Sequence, residues 1–449
     1  MKLTRSAAAI GAAVLLAGAA AAGCGSSSSS SSSGAAAPAK ITVWRMGGSV
    51  ASQVTWMNAV VAQFHRQFPQ YAKTKVDVVW VPWTVRTTDW NDALSSGKNA
   101  PDITELGNTD TPTEAGLGVV ANISSYVNAW SGKPGVVSGM LANDSQNGNY
   151  YAVPWFGGVR AVWYRTDQFR KARISSPPKT WAALVADAQK LMKTSPGTYG
   201  IDAITDDTNA FASFIWGAGG TIATESNGTW TADLTSPADL AAIKWYVSLF
   251  RTYHLSPSKY IGQTELGNTG STAGGANTDF GLGKLDLYID GPWATASMPA
   301  NSTDKSNWAS FPIPSETGTN PAPVFSGGSD LGVFATSKYK QADWDLISVM
   351  DSTANSTSFA KLQGFFPPYS AEISGGVYTG QPFMSGFATA ALNGQTSPLN
   401  AKNWPTADTG KYFIIPDMLK ALMNGAPLQS TVASANSQLQ TVLNTGTEG

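Results

Sequence analysis

The chain contains very little cysteine or histidine. Its 449 residues include one cysteine, Cys24, and two histidines, His65 and His254. A single cysteine cannot form an internal disulfide, and a zinc site cannot be built from one thiolate. Neither histidine has a second metal-ligating residue at a usable spacing, and a Ser-His-Asp triad would depend on one of these two. The sequence therefore predicts no metal centre and argues against histidine-based catalysis.

Charge is also scarce, and the two signs are balanced. Charged residues make up 13% of the chain, 29 basic against 30 acidic, which gives a formal net charge of −1. No basic run is present, so the composition argues against nucleic acid as a partner. The sequence contains no P-loop, no dinucleotide-binding fingerprint and no G-x-S-x-G nucleophile motif. We therefore predict neither a nucleic-acid partner nor a cofactor.

The N-terminus has the pattern of a secretory leader. Lys2 and Arg5 precede an unbroken run of small and apolar residues at 7–22. This run is short and rich in alanine and glycine, whereas a membrane span needs about 20 predominantly apolar residues. The pattern instead predicts a signal peptide over 1–23.

Cys24 stands directly after this leader and shortly before the serine run at 26–33. The sequence A-A-G-C at 21–24 resembles the bacterial lipoprotein signal, in which a cysteine after a small-residue box is lipidated. The resemblance implies lipidation of Cys24 and a location at the extracellular face of the cell membrane. The other interpretation is an ordinary cleaved signal peptide with an incidental cysteine. Serine-rich sequence behaves as flexible coil, so 24–39 is predicted to be a lipidated tether.

The rest of the chain alternates between strand-like and helix-like segments. Predicted strands lie at 41–44, 76–81, 102–107, 161–164, 285–289 and 331–335. Predicted helices include one that ends at Pro69, two that begin after the caps Thr180 and Ser236, and others at 342–350, 416–423 and 429–443. The alternation predicts an α/β fold. Because the pattern restarts midway, we expect two lobes, each an open α/β sheet with helices on both faces, joined by several hinge crossovers.

Several sequence blocks resemble one family. They are P-D-I-T-E-L-G-N-T at 101–109, Y-A-V-P-W-F-G-G at 151–158, Y-R-T-D at 164–167, P-K-T-W at 178–181, W-G-A-G-G at 216–220, D-L-T-S-P at 233–237, G-K at 283–284, G-P-W at 291–293 and G-G-S at 327–329. These blocks resemble the family-1 extracellular solute-binding proteins of ABC sugar importers over nearly the whole mature chain. Among these proteins the actinobacterial chitobiose and glucoside receptors look nearest. Asp110, after G-N-T, stands where members often carry an aromatic residue.

The resemblance implies a periplasmic-binding-protein-like fold and a binding function rather than an enzyme activity. One lobe is expected to comprise 40–153 plus 329–372, and the other 154–328 plus 373–449. The implied function is the capture of a small oligosaccharide, a di- or trisaccharide, between the lobes and its delivery to the membrane subunits of an ABC permease. We expect a monomer that captures its ligand by hinge closure.

A sugar ring has apolar C–H faces and a rim of hydroxyl groups. Aromatic side chains can cover the faces, while Asn, Asp and Arg can bond the hydroxyls. The resemblance implies ligand contacts from Asn108, Asp110, Trp155, Phe156, Arg160, Asp207, Asn209, Trp216, Trp293, Gly328, Ser329 and Asp330, and we add Trp404 from the C-terminal loop. Gly47 and Gly48, just after the first strand, would let the backbone approach the ligand. Trp293 is the foremost stacking platform because it follows Gly-Pro at a strand end, whereas Trp181 and Trp245 are assigned to the core.

Two other functions stay open at this point. A secreted carbohydrate-active hydrolase would need two carboxylates around the scissile bond. The nearest sequence pairs are Asp206 with Asp207 and Asp286 with Asp290, although proximity in sequence does not give their separation in space. A lipoprotein adhesin or sensor would need no small-molecule ligand.

Overall fold

A computed structural model describes residues 37–83, 85–264, 275–296 and 298–447. Cys24, the leader and most of the predicted tether lie outside the described residues. Residues 37–449 group into one compact unit. Within the described part of the chain, no helix has both the length and the apolar character needed to cross a bilayer.

The described strands are short, and most of them belong to two larger sheets. They are β1 (Lys40–Met46), β2 (Lys75–Val81), β3 (Ile103–Gly107), β4 (Ser145–Gln146), β5 (Asn149–Tyr150), β6 (Val153–Gly158), β7 (Ala161–Arg165), β8 (Tyr199–Ile201), β9 (Ala223–Ser226), β10 (Thr229–Ala232), β11 (Leu285–Asp290), β12 (Trp308–Phe311), β13 (Val324–Phe325), β14 (Gly327–Val333) and β15 (Gly394–Gln395).

The described α-helices are distributed along the whole chain. They are α1 (Ala51–Gln67), α2 (Arg86–Ser96), α3 (Thr111–Leu117), α4 (Ser124–Ala129), α5 (Ser138–Asn143), α6 (Thr166–Lys171), α7 (Trp181–Thr194), α8 (Thr208–Gly217), α9 (Pro237–Arg251), α10 (Ala276–Gly281), α11 (Lys340–Met350), α12 (Thr353–Gln363), α13 (Ser370–Ser374), α14 (Ser385–Ala391), α15 (Ile414–Met423) and α16 (Leu428–Thr445).

Two helix starts follow directly from their cap residues. The side chain of Thr180 accepts a hydrogen bond from the backbone N–H of Ala183 at 3.1 Å, and α7 begins at the next residue. Ser236 likewise accepts from the N–H of Asp239 at 3.2 Å, and Pro237 opens α9. A capping oxygen satisfies one of the N–H groups that the first helical turn leaves free. Both predicted helix starts are confirmed.

The first sheet has the strand order β2-β1-β3-β14-β6. β1, β2 and β3 run parallel, while β14 is antiparallel to both of its neighbours. The adjacent residues Val43 and Trp44 point to opposite faces and join different hydrophobic clusters. The Val43 cluster includes Val60 and Phe64 of α1, and the Trp44 cluster includes Trp90 of α2. Helices therefore cover both faces, as predicted.

The second sheet has the strand order β12-β7-β11-β8. Every residue of β11 is buried, which requires a covering layer on each face of the sheet. Trp163 of β7 packs against Phe387 of α14 with ring centroids 5.1 Å apart, and Leu184 of α7 belongs to the same hydrophobic cluster. The predicted α/β class with two sheets is confirmed.

The described chain passes between the two sheets more than once. β6 lies in the first sheet and β7 in the second, so one passage is at 159–160. A second is at Ser326, between β13, which packs in the core of the second sheet, and β14 of the first. A third follows α12, because Tyr369 still pairs with Val136 whereas Ile373 packs in the core of the second sheet. The residue limits predicted for the two lobes remain a proposal.

Candidate functional site

A cavity of about 500 Å³ lies where the passages between the sheets meet the ends of β1 and β11. Its lining comes from the first sheet and its helices, from the passages between the sheets, and from Trp293, which follows β11 of the second sheet. The lining residues are Arg45, Met46, Gly47, Gly48, Val50, Gln53, Trp83, Glu105, Phe156, Gly158, Arg160, Trp293, Phe325, Gly327, Gly328, Ser329, Gln363 and Phe365. The volume is within the range of small-molecule sites, about 300–1,000 Å³.

A buried ion pair lies on the side of the cavity formed by the first sheet. Arg45 at the end of β1 donates to the carboxylate of Glu105 on β3, and both side chains are at most 5% exposed. The same carboxylate accepts a hydrogen bond from the N–H of Met46 at 2.8 Å. The guanidinium carbon of Arg45 lies 5.1 Å from the ring centroids of both Trp155 and Phe359. This aromatic support and the ion pair together fix the Arg45 head group at the cavity.

Polar atoms on this side retain unused hydrogen-bonding capacity. Nε of Arg45 and Oε1 of Glu105 have no hydrogen-bond partner within the described part of the chain, and the same holds for Oε1 of Gln53 and Nε2 of Gln363. A buried polar atom without a partner costs about 1–3 kcal/mol. A polar ligand that supplied the missing partners would recover part of this free energy.

Another part of the lining carries a stacked aromatic pair. The rings of Trp293 and Phe365 lie 5.6 Å apart at an interplanar angle of 28°. Trp293 folds back over the chain, because a Cβ added to Gly291 would approach its ring to 2.1 Å and one added to Gly158 to 2.5 Å. Both glycines are therefore needed for the ring to occupy this position.

The Arg160 guanidinium lies over the Trp293 ring, and an ion pair with Asp207 holds it there. Its guanidinium carbon is 5.5 Å from the ring centroid of Trp293, and its Nε donates to Asp207 at 2.9 Å. Asp207 also caps α8 by accepting from the N–H of Ala210 at 3.1 Å. Burial raises the pKa of the nearby Asp290 to about 6, and Arg160 opposes that rise. The ion pair with Asp207 thus sets the position of the Arg160 guanidinium at the cavity.

Trp83 forms a second exposed aromatic surface at the cavity. It is 37% exposed and follows the carboxyl end of β2. Arg86 lies 5.4 Å from its ring centroid and makes two hydrogen bonds, of 2.7 and 2.8 Å, to the carboxylate of Asp110. A Cβ added to Gly107 would lie 3.4 Å from the Trp83 ring. Asp110 therefore reaches the cavity indirectly, by holding Arg86 against Trp83.

Gly328, in the passage between β13 and β14, has a backbone conformation that only glycine accommodates. Gly328 has a φ of +147°, and a Cβ there would lie 2.1 Å from the carbonyl oxygen of Phe156. The carbonyl of Gly328 accepts from the N–H of Asn108 at 3.1 Å, and the Asn108 side chain donates to the carbonyl of Ser326. Asn108 therefore fastens this passage to the end of β3.

Buried carboxyl groups adjoin the same passage. Asp330, on β14, accepts a hydrogen bond from Thr111 at 2.6 Å. Burial raises the pKa of Asp330 to about 7 and holds the pKa values of Asp144 and Asp351 well above their ordinary range. Mutual repulsion with Asp330 contributes to the rise at Asp144 and Asp351. The passage therefore adjoins carboxyl groups that retain their protons more readily than exposed carboxyl groups do.

The structure brings about half of the sequence-predicted site residues to the cavity lining. The predicted residues that line it are Gly47, Gly48, Phe156, Arg160, Trp293, Gly328 and Ser329. Those outside the lining are Asn108, Asp110, Trp155, Asp207, Asn209, Trp216, Asp330 and Trp404. Asn108, Asp110 and Asp207 support lining residues, as described above.

The remaining predicted residues do not line the cavity. Trp155 is fully buried and stacks on Phe359 with ring centroids 4.2 Å apart. Trp216 and Trp404 are at most 5% exposed, and Asn209 lies in the first turn of α8. Their assignment as ligand contacts remains a prediction.

Some residues on the side of the cavity formed by the first sheet were not predicted from the sequence. Arg45, Gln53, Glu105 and Gln363 were not predicted, although Arg45 is two residues before Gly47 at a strand end. Trp83 could also have been found, because P-W follows β2 just as P-W follows β11 at Trp293. Gln363 carried no local signal, because its contact with the cavity depends on residues far away in the sequence.

The carboxylate pairs considered for hydrolysis, Asp206 with Asp207 and Asp286 with Asp290, lie outside the lining. Glu105 is the one carboxylate among the described lining residues, and it is held in an ion pair. Among the described residues, no group of three His, Cys, Asp or Glu side chains could hold a metal ion.

Comparison with known proteins adds independent findings. The model of the bacterial extracellular solute-binding proteins matches residues 47–356. The diacetylchitobiose binding protein DasA of Streptomyces coelicolor is 27% identical over 403 residues, which are 89% of this chain and 88% of DasA.

Solved structures share the fold. The sugar-binding protein MalE of Xanthomonas citri superposes with a TM-score of 0.76 at 21% identity, over 90% of this chain and 97% of that protein. The GacH receptor of Streptomyces glaucescens gives a TM-score of 0.71 at 19% identity, over 91% of this chain and 99% of GacH. The expected two-lobed periplasmic-binding-protein-like fold is confirmed. The family model matches well over half of the length of this chain. The chain therefore belongs to the bacterial extracellular solute-binding proteins, a family of binding proteins rather than enzymes.

Proposed function

We propose that this protein is the substrate-binding component of an ABC importer and that it captures a small oligosaccharide, a di- or trisaccharide, between its two lobes. The observation that carries the proposal is the composition of the cavity at the junction of the two sheets. Aromatic rings line it next to each sheet, because Trp83 follows β2 of the first sheet and Trp293, stacked on Phe365, follows β11 of the second. The same lining carries charged and amide side chains with unused hydrogen-bonding capacity.

This arrangement suits the chemistry of a sugar. An aromatic ring covers the apolar C–H face of a pyranose, while Arg160 and Glu105 offer a donor and an acceptor for hydroxyl groups. Micromolar affinity corresponds to about −8 kcal/mol, which a few stacking and hydroxyl contacts can supply. The other sequence-predicted contacts, such as Asn108 and Trp404, are retained as candidates under this proposal.

The names of the related proteins support a sugar ligand but differ in its identity. DasA is named for diacetylchitobiose, MalE of Xanthomonas citri is described as sugar-binding, and the GacH receptor was solved with acarbose. The proposal is therefore stated at the level of small oligosaccharides.

Capture would proceed by closure of the two lobes about the passages between the sheets. The ligand contacts both sides of the cavity only when they approach each other, so it favours the closed state and shifts the population towards it. The loaded monomer would then dock on the membrane subunits of a permease. A lipid at Cys24 would hold the protein at the extracellular face of the cell membrane and raise its effective concentration near the permease.

A thermal-shift screen over a panel of di- and trisaccharides tests the proposal. A ligand that binds only the folded protein must raise its melting temperature, by an amount that grows with ligand concentration. We expect at least one sugar to do so and to be recovered intact after prolonged incubation. Cleavage products would instead support the hydrolase alternative. A panel with no stabilising sugar would contradict the proposed function and favour an adhesin or a sensor.

A further inference from the structure

Two glutamine side chains from distant parts of the chain meet at the wall of the cavity. Nε2 of Gln53 on α1 donates a hydrogen bond to Oε1 of Gln363 at the end of α12, at 3.0 Å. Nη2 of Arg45 donates to the same oxygen at 3.3 Å. Arginine can only donate, so the oxygen of Gln363 must face it, and this identifies the oxygen and the nitrogen of both carboxamides.

Each carboxamide therefore has one polar edge left over. Oε1 of Gln53 and Nε2 of Gln363 are buried and have no hydrogen-bond partner within the described part of the chain. Both residues line the cavity. The terminal torsion of a glutamine side chain is soft, so a small rotation can turn either edge towards a ligand. The pair thus presents one free acceptor beside one free donor.

A secondary amide is the complement of this arrangement. Its N–H can donate to Oε1 of Gln53 while its carbonyl accepts from Nε2 of Gln363. A sugar hydroxyl at the same position has a single oxygen and cannot span the two glutamine atoms in the same way. The methyl group of an acetamido substituent also needs apolar surroundings, and Val50 and Phe365 line the same cavity.

A purely structural function for the pair is less persuasive, because α1 and α12 are already joined elsewhere. Nε1 of Trp56 donates to Ser358 at 2.9 Å, and Nδ2 of Asn355 donates to Gln63 at 3.0 Å. These contacts link the same two helices and involve no residue of the cavity lining. The second contact also provides a matched control, since it too joins two side-chain amides.

We propose that Gln53 and Gln363 form a subsite for the acetamido group of an N-acetylated amino sugar, so that the cavity prefers oligosaccharides carrying that group. This inference rests on the proposed function, because it presupposes that the cavity binds a sugar.

Titration calorimetry on the purified protein with two disaccharides of the same linkage tests this inference. Diacetylchitobiose and cellobiose differ by an acetamido group in place of one hydroxyl on each ring. Two hydrogen bonds of about 1 kcal/mol each predict that the protein binds the acetylated sugar at least about tenfold more tightly. Gln53→Ala and Gln363→Ala should each reduce that preference several-fold, whereas Gln63→Ala should leave the ratio unchanged. Thermal melts of the three variants verify that each is folded.

The outcomes separate the two proposals. Equal affinity for the two disaccharides, or binding of non-acetylated sugars alone, would overturn the acetamido subsite while leaving sugar capture intact. A preference that persists unchanged in both cavity variants would overturn the assignment of the two glutamines. Failure to bind any oligosaccharide of the wider panel would instead contradict the proposed function itself.

Discussion

Three tryptophans of this chain directly follow a proline, and their positions show how one local motif can have different outcomes. Trp83 and Trp293 come after the ends of β2 and β11, and both line the cavity. Trp155 lies inside β6 and is fully buried. The position relative to the strand end, rather than the Pro-Trp sequence, determines which ring faces a ligand.

Trp293→Ala should weaken sugar binding more than it destabilises the fold. The ring forms one wall of the cavity and stacks only partly on Phe365. Removing a stacking platform should cost on the order of 2–4 kcal/mol of binding free energy, or some 30- to 1000-fold in affinity. Titration calorimetry and thermal melts on the same variant measure the two effects.

The control for this variant is Trp245→Ala. Trp245 is half-buried and stacks on Trp181 with ring centroids 4.5 Å apart, outside the cavity lining. We expect this substitution to lower the melting temperature and to leave the affinity of the folded protein nearly unchanged. Unchanged affinity in Trp293→Ala together with a large loss of stability would place Trp293 in the core instead.

At the residue scale, the sequence predicted lining residues that follow strand ends. It did not predict lining residues whose position depends on contacts with distant parts of the chain. Gly47 and Trp293 follow strands that the sequence pattern itself predicts. Gln363 meets Gln53 across 310 residues, and no local pattern records such a pairing. Its helix, α12, also lacks the strong apolar stripe that makes a helix recognisable from sequence.

At the element scale, capped amphipathic helices were predicted more reliably than fully buried ones. α7 and α9 carry both a cap and an apolar stripe, so their starts could be read from the sequence. α8 is buried on nearly all sides, and because its apolar residues do not alternate with polar ones, the sequence pattern predicted no helix here. Asp207 and Asn209, which were predicted as ligand contacts, cap and open this helix.

The position of a strand within its sheet could also not be predicted from the sequence. An apolar run such as that of β2 is typical of a strand buried on both faces, yet β2 is an edge strand and Val79 is 42% exposed. An apolar run predicts a strand without showing how many neighbours it has. Its parallel pairing with β1 places Trp83 near the cavity all the same.

Gly328→Ala should disturb the passage that connects β13 to β14. A Cβ at this position would collide with the Phe156 carbonyl, and the φ of +147° is strained for any other residue. We expect a loss of stability on the order of 2 kcal/mol or more, seen as a lower denaturation midpoint, and weaker sugar binding.

Gly48→Ala serves as the stability control for this substitution. Gly48 also lines the cavity, but a Cβ added there meets no atom within 4 Å. Its denaturation midpoint should match that of the unmodified protein. Equal midpoints for the two variants would contradict the tight backbone contact at Gly328.

At the scale of the whole molecule, buried carboxyl groups should make stability fall as pH rises. Burial raises the pKa of Asp330 to about 7 and keeps those of Asp144 and Asp351 well above the ordinary value. Between about pH 4 and pH 7 the folded protein retains protons that the unfolded chain has lost, so unfolding releases protons and becomes easier with rising pH. The melting temperature should therefore decrease by a few degrees from about pH 5 to pH 7.

Asp351→Asn measures the contribution of this cluster to the pH dependence. The variant removes one titrating group while keeping nearly the same side-chain volume. Its melting temperature should decline less steeply with pH over the same interval. A slope identical to that of the unmodified protein would show that Asp351 does not titrate there.

Cys24→Ser tests the proposed attachment of the molecule to the membrane. Without the thiol no lipid can be added, so the variant should be released into the medium or should retain its leader. Radiolabelled fatty-acid incorporation and fractionation of cells report both outcomes. A variant that still carries lipid and remains with the membrane would contradict lipidation at Cys24.

Small-angle X-ray scattering of the free and the sugar-saturated protein tests whether a sugar closes the two lobes. The cavity is lined by residues of the first sheet, by the passages that connect the two sheets and by Trp293 after β11 of the second sheet. With a sugar whose binding has been measured by calorimetry, we predict a smaller radius of gyration than in its absence. An unchanged radius at demonstrated saturation would contradict closure of the lobes around the ligand.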